Sequence, residues 1–363
     1  VNIYFSDPKN NDTDNDKMPD GWETFYGLKI LNDDSLNDTD ADNLLNLYEY
    51  LNGTNPQVND TDSDKMLDGW EVFNSLNPLI DDSLNDTDND NLLNLYEYLN
   101  GTNPQVNDTD DDKMPDGWEV FNNLNPLIDD SLNDTDNDNL LNLYEYLNGT
   151  NPQVNDTDDD KMPDGWEVLN GLNPLDDDSS DDTDNDNLSN IDEYNEGTNP
   201  NDPDTDNDDL PDGWEVNYGL NPSIHDSSDD LDNDNLTNLQ EYNEGTNPTK
   251  SDTDDDRMPD DWEIKYGLDP SNDDDEWGDL DGEGLYNFEE YEYGTDPGNP
   301  DTDADGYSDR REITDGTDPL DPNDFPGSNR NRGIGTYPLI LILPILCIMF
   351  MGLIKLYRKK SKF

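Results

Sequence analysis

Two acidic motifs alternate along this chain at a fixed spacing, and a chain of that kind folds as a row of like units, each contacting its neighbours. The motif DTDNDKMPDGWE begins at Asp12 and returns at Asp60, Asp108, Asp156, Asp204 and Asp252, each 48 residues on, then at Asp301 after 49. A second motif, DTDADNLLNLYE, begins at Asp38 and recurs at Asp86, Asp134, Asp182 and Asp230, with a looser copy, DLDGEGLYNFEE, at Asp279. Each follows its partner by 26 or 27 residues, so thirteen acidic loops form one array. Residues 60 to 107 and 108 to 155 differ only at Ser63/Asp111, Leu67/Pro115 and Ser75/Asn123, as a recent duplication would leave them.

Something other than grease must hold such a row together. The 363 residues include 93 acidic and 18 basic ones, a formal charge of −75, which excludes nucleic acid as a direct partner. Only 29% are hydrophobic, and many of these lie in the last 30, so the rest bury too little apolar surface to offset their conformational entropy. A single cysteine, Cys347, excludes an intrachain disulfide, and a single histidine, His225, excludes histidine-based zinc or acid/base chemistry. A hard cation, or disorder, remains.

Between the acidic runs the local pattern predicts two short helices per unit. After the first motif, Trp70, Phe73 and Leu76 fall at helical spacing and Asn77-Pro78 ends the segment. After the second, Leu92, Leu95, Tyr96 and Leu99 do the same, ending at Gly101 in a C-cap role. Helices of about two turns are marginal alone, so they are expected to pack Trp against Leu and Tyr as one small core per repeat. Trp22, Trp70, Trp118, Trp166, Trp214 and Trp262 share one motif position and are expected to be packing residues.

The acids are in phase. Loop positions 1, 3, 5, 9 and 12 of the first series are Asp12, Asp14, Asp16, Asp20 and Glu23, then Asp60, Asp62, Asp64, Asp68 and Glu71. The next copies give Asp108, Asp110, Asp112, Asp116 and Glu119, then Asp156, Asp158, Asp160, Asp164 and Glu167. Asp204, Asp206, Asp208, Asp212 and Glu215 follow, then Asp252, Asp254, Asp256, Asp260 and Glu263, and last Asp301, Asp303, Asp305, Asp309 and Glu312. In the second series positions 1, 3, 5 and 12 are Asp38, Asp40, Asp42 and Glu49, then Asp86, Asp88, Asp90 and Glu97, then Asp134, Asp136, Asp138 and Glu145. Asp182, Asp184, Asp186 and Glu193 come next, then Asp230, Asp232, Asp234 and Glu241, and finally Asp279, Asp281, Glu283 and Glu290. This is the oxygen spacing of an EF-hand-like calcium loop, in which alternate carboxylates of a tight turn point inward, the position-7 carbonyl adds an oxygen, and the Glu closes the shell. Six to eight oxygens suit Ca²⁺, one or more ions per loop, better than the smaller Mg²⁺ octahedron.

Position 6, where the backbone turns through positive φ, is Lys17, Lys65, Lys113, Lys161, Asp209 and Arg257 in the first series and Asn43, Asn91, Asn139, Asn187 and Asn235 in the second. Asn tolerates that conformation and Lys strains it, so the second series and the Gly-bearing loops at Asp279 and Asp301 are expected to be better shaped. Proline at position 8, as in Pro19 and Pro115, lacks the N–H that paired EF-hands use, which argues against such pairing.

Residues 12 to about 322 thus resemble thrombospondin type 3 repeats in the cysteine-free form of bacterial and archaeal surface proteins, on the strength of DTDNDKMPDGWE at 12 to 23, DTDNDNLLNLYEYLNGTNP at 86 to 104 and their copies. The resemblance implies a chain wrapped around calcium ions with little regular secondary structure: an elongated, calcium-stitched repeat protein.

The expected organisation is an N-terminal segment at 1–11, truncated upstream, the repeat array at 12–321, a flexible linker at 322–336, a transmembrane helix at 337–354 and a basic cytoplasmic tail at 355–363. Tyr337 to Ile354 carries no charge, and Lys355, Arg358, Lys359, Lys360 and Lys362 outnumber Arg330 and Arg332, which places the array outside the cell. Twelve Asn-x-Ser/Thr sequons make the exported chain a candidate glycoprotein. No nucleophile–base pair or phosphate-binding glycine loop indicates an enzyme. The expected role is a calcium-rigidified surface stalk or adhesion spacer that meets another surface protein or a glycan. The alternative is a disordered polyacid that sequesters ions or nucleates mineral.

Overall fold

A computed structural model describes residues 9–328. Among them there are thirteen α-helices, one 3-10 turn and no strand. The helices are α1 (Asp20–Tyr26), α2 (Asn46–Asn52), α3 (Asp68–Phe73), α4 (Asn94–Asn100), α5 (Asp116–Phe121), α6 (Asn142–Asn148) and α7 (Asp164–Asn170). They continue with α8 (Asn190–Glu196), α9 (Asp212–Tyr218), α10 (Asn238–Glu244), α11 (Asp260–Tyr266), α12 (Asn287–Tyr293) and α13 (Asp309–Asp315). Each begins at loop position 9, so every helix is the exit of an acidic loop. No helix among the described residues is long and apolar enough to cross a membrane, and the span expected at 337–354 and the tail at 355–363 lie outside them.

The chain divides into two compact units. One runs to Thr205 and takes in Pro211–Gly213; the other holds Asp206–Leu210 and the chain from Trp214 on. Within both, most helices close on a left-handed glycine, as at Gly101 (φ 81°), whose N–H donates to the Glu97 carbonyl. At six or seven residues they are too short to stand alone. The tryptophans supply one tie, each standing edge-on to the tyrosine of the next helix: Trp70 to Tyr98 at 5.1 Å, Trp118 to Tyr146 at 5.3 Å and Trp262 to Tyr291 at 5.4 Å between ring centroids.

The apolar core is narrower than the helical pattern suggests. Its recurrent members are the position-7 residues: Met18, Met66, Met114, Met162, Leu210 and Met258 in the first series, fully buried, and Leu44, Leu92, Leu140, Leu188, Leu236 and Leu285 in the second. Leu92 therefore packs from inside a loop rather than from a helix. Phe73 and Leu99, expected in the core, are exposed, Phe73 by 85%. The face that α3 buries carries Asp68 and Glu71 and continues to Asn74, and Phe73 lies off it.

The 3-10 turn, Asp275–Trp277, is a local variation in the second unit. There Arg257 lies 4.9 Å over the Phe288 ring and 3.5 Å from the buried carboxylate of Glu276.

Candidate metal centre

Each loop is tied by its own carboxylates. In the loop at Asp60, Oδ1 of that residue accepts the N–H groups of Ser63 (2.7 Å) and Asp64 (3.2 Å), and Oδ2 that of Lys65 (3.0 Å). Asp64 Oδ1 accepts the N–H of Met66 at 2.8 Å, which sends the methionine inward. The second series repeats the device, with Asp86 accepting from Asn89 and Asn91 and Asp90 from Leu92. The turn needs positive φ at position 6, observed at Lys65 (84°) and Asn91 (75°) alike, and also at position 4, as at Ser63 (66°) and Asn89 (66°). The two series thus share one shape, and the strain expected of Lys is carried rather than relieved.

Position 9 is engaged within its own loop. The first-series Asp68 turns back to position 2, accepting the N–H and hydroxyl of Thr61 at 2.8 and 2.6 Å, and Asp20, Asp116, Asp164 and Asp212 do likewise. In the second series Asn94 occupies this place. It accepts the Thr87 hydroxyl and donates through Nδ2 to the Asp82 carbonyl at 3.0 Å, a bond a carboxylate could not make.

Two kinds of carboxylate group result. Asp12, Asp14 and Asp16 offer oxygens within 4.8 Å of one another, as do Asp38, Asp40 and Asp42, and Asp60, Asp62 and Asp64. A second kind joins positions 5 and 12 of one loop to a residue further along: Asp16 and Glu23 with Asp34, and Asp42 and Glu49 with Asp68. Asp68 thus stands beside the preceding loop's Glu49 rather than with Asp60, Asp62 and Asp64. Asp34, in the segment between motifs, has counterparts in Asp82, Asp130 and Asp178, whose charges bear on Glu71, Glu119 and Glu167. The Asp-Asp pair that recurs before every second motif but the one at Asp230, where His225 precedes Asp226, was the signal for them.

The glycine of the DGW triplet was also passed over as a site residue. Gly69 N–H donates to Asp42 Oδ2 at 2.9 Å, and a Cβ there would lie 2.3 Å from the Asp42 carbonyl oxygen. Gly117 meets Asp90, and Gly165 meets Asp138, in the same way. A Cβ at Gly21 would meet no atom of the described residues within 4 Å. In the second unit Arg310 N–H takes this role, donating to Glu283 Oε2 at 2.8 Å. Asp208 differs from its counterparts: its Oδ2 accepts the N–H groups of Asp226 (2.9 Å) and Ser227 (2.7 Å).

The electrostatics are those of a cation site. Glu23, Glu71, Glu119, Glu167 and Glu263 are fully buried, and neither carboxylate oxygen of any of them has a hydrogen-bond partner in the protein. Burial first, and then the charges of the position-5 and position-3 aspartates, push Glu71 and Glu119 up to about 9. Position-3 carboxylates such as Asp62 and Asp88 rise to about 6 for the same reasons. Buried carboxylates in groups of three, with outward oxygens bonded to backbone N–H and inward oxygens without donors, fit a hard divalent cation. The donors are all oxygen and converge from two loops, which suits the large, tolerant shell of Ca²⁺.

Residues 182–203, 204–223 and 301–322 match the family described as the bacterial TSP3 repeat. These segments are similar to bacterial TSP3 repeats. The loops at Asp12, Asp60 and Asp108 carry the same acid phase as the matched TSP3 segments and the same closing hydrogen bonds. No curated protein and no solved structure matches the chain. TSP3 character and clustered acids are together compatible with calcium binding.

Proposed function

We propose that this chain is a calcium-binding TSP3 array, a structural element and not an enzyme, in which ions held within single loops are joined by others that tie a loop to the segment or loop after it. The carrying observation is the second kind of group: Glu49, fully buried, stands with Asp42 of its own loop and Asp68 of the following one. A cation there bridges neighbouring units, so metal supplies the cohesion that the small apolar core does not. The ligands would be the carboxylates at positions 1, 3, 5 and 12, with Asp34 and its counterparts and the first-series position-9 aspartates completing the bridging groups.

The apolar stretch and basic tail of the sequence support placing the array outside the cell on a membrane anchor. There a calcium-stiffened row of units serves as a stalk or adhesion spacer. The ordered Trp–Tyr pairs and in-phase Met and Leu favour it over a disordered polyacid, which has no use for them.

Calorimetric titration of the metal-free chain with CaCl₂, followed in parallel by near-ultraviolet circular dichroism, tests the reading. The expected result is saturable uptake of more than one ion per loop, with the aromatic signal appearing as the sites fill, and weaker uptake of MgCl₂. No saturable calcium uptake at about millimolar concentration, the weak end of extracellular calcium modules, overturns it.

A further inference from the structure

Three sequons close the helices α2, α4 and α6: Asn52-Gly53-Thr54, Asn100-Gly101-Thr102 and Asn148-Gly149-Thr150. The metal centre explains two residues of each. Glycine is the left-handed cap, and the buried threonine hydroxyl donates to the position-12 carboxylate, Thr102 to Glu97 at 2.6 Å and Thr150 to Glu145 at 2.7 Å. It does not explain the asparagine, which is exposed and whose Nδ2 donates to the carbonyl four residues back, Asn100 to Tyr96 at 2.8 Å, a bond that transfer to Nδ2 must first release. The corresponding helices α8, α10 and α12 keep the glycine and threonine but end in Glu196, Glu244 and Tyr293.

The asparagine also has constant company. Tyr96 and Leu99 precede Asn100 on α4 by four residues and by one, and are 51% and 65% exposed. The same Tyr/Leu pair stands before Asn52 and Asn148. Where the asparagine is missing, the pair becomes Asp192 and Asn195 in α8, Gln240 and Asn243 in α10, and Glu289 and Glu292 in α12. Exposed amide and exposed apolar pair come and go together.

We propose that Asn52, Asn100 and Asn148 are N-glycosylation sites whose first sugars lie over the adjacent Tyr/Leu pair. In the transfer from a lipid-phosphate-linked oligosaccharide, the bond between Asn Nδ2 and sugar C1 forms as the C1–O bond to phosphate breaks. The amide gives up one proton, the lipid phosphate leaves with the bonding electrons, and nothing is oxidised or reduced. A sequon is read through its hydroxyl as well as its amide, and here the hydroxyl is buried against the metal-binding glutamate. Transfer therefore precedes closure of the calcium loop, while the finished glycan, attached to an exposed side chain, leaves the loop undisturbed.

Mass spectrometry of the chain from cells that make it, before and after peptide N-glycosidase, is expected to find glycan at the three asparagines and none at Asn195 or Asn243. Unmodified Asn52, Asn100 and Asn148 overturn the proposal. With a purified oligosaccharyltransferase and a lipid-linked oligosaccharide, transfer to Asn100 is expected to be at least about tenfold faster on the metal-free chain than on the calcium-loaded one, because the closed loop must first open. Equal rates refute the order of events. Hydroxyl-radical labelling of Tyr96 is expected to rise when the glycan is removed, and unchanged labelling refutes the covering.

Discussion

The two loop series share a backbone path but differ in what surrounds their closing glutamates. In the second-series loops at Asp86 and Asp134 a threonine hydroxyl reaches the carboxylate, Thr102 to Glu97 and Thr150 to Glu145, and these glutamates are pushed up to about 8. In the first series Glu71, Glu119 and Glu167 have no such donor and rise to about 9, whereas Glu23, also without one, rises to about 8 and Glu312, beside the Thr317 hydroxyl, to about 7. At Glu71, Glu119 and Glu167 a bound cation would be the sole compensation for the buried charge, whereas Glu97 and Glu145 also have a hydroxyl donor. In these repeats a loop whose closing glutamate has no donor alternates with one whose glutamate has.

The largest expected effect is of pH on the metal-free chain. The glutamates ionise near 4.5 when unfolded but only near 8 or 9 when folded without metal, because burial and neighbouring carboxylates oppose their charge. The metal-free fold thus binds more protons than the unfolded chain between those values. Its stability is fully present below about pH 4.5 and falls as pH rises through 8 and 9. Calcium takes the place of the protons, so its stabilising effect grows over the same window and its binding releases protons. Near-ultraviolet circular dichroism of the Trp–Tyr pairs should show the metal-free chain more ordered at pH 4.5 than at pH 8, with calcium restoring order at pH 8. A metal-free chain equally ordered at both would contradict the charge balance.

Single substitutions separate the two series. Glu119→Gln keeps the shape and removes a charge that only a cation can compensate. Without metal it should stabilise the fold at pH 8. With calcium it should lose about 3 kcal/mol, the usual cost of removing one member of a buried charge pair. Glu145→Gln should change both in the same directions but by less, since Thr150 already shares that carboxylate. Thermal melts with and without calcium read the four values, and equal losses at the two positions would erase the distinction.

Gly117→Ala tests the contact between the series. Its Cβ would lie 2.4 Å from the Asp90 carbonyl oxygen, forcing α5 off the preceding loop and stretching the 2.9 Å bond from Gly117 N–H to Asp90 Oδ2. A loss of about 2 kcal/mol is expected, typical of overpacking. Gly21→Ala, with open space around it, should be neutral or stabilise by up to about 1 kcal/mol through helix propensity. Chemical denaturation of both variants in calcium decides; a destabilised Gly21→Ala would mean that the glycine serves the helix itself and not the neighbouring loop.

How much of this the sequence carries depends on the range of each interaction. The acid phase, the Gly caps and the positive φ at position 6 are local, and they were legible as spacing. Gly69, Asp34 and the partner of Asp68 were not, because their meaning lies 11 to 27 residues away, in a neighbouring loop. Phe73 misled for a related reason. Helical periodicity identifies a face, but the face that α3 buries is the acidic one of Asp68 and Glu71, continued by Asn74, and the apolar Phe73 lies off it. The position-7 Met and Leu, which do form the core, sit in a loop where no helical or strand period could point to them.

The smallest effect lies in the backbone. Lys113 and Asn139 hold position 6 of successive loops at φ 80° and 75°, and both N–H groups bond the position-1 aspartate, at 2.8 and 3.1 Å. A lysine pays about 1 kcal/mol for that conformation, whereas asparagine adopts it more readily. Replacement by glycine removes this strain but makes the unfolded chain freer, and the second term is similar at the two sites. Lys113→Gly should therefore raise the melting free energy by about 0.5 kcal/mol, and Asn139→Gly should leave it level or lower it slightly. If the two variants behave alike in calcium-loaded melts, lysine is not strained there, and its stem must be gaining from its loop what the backbone loses.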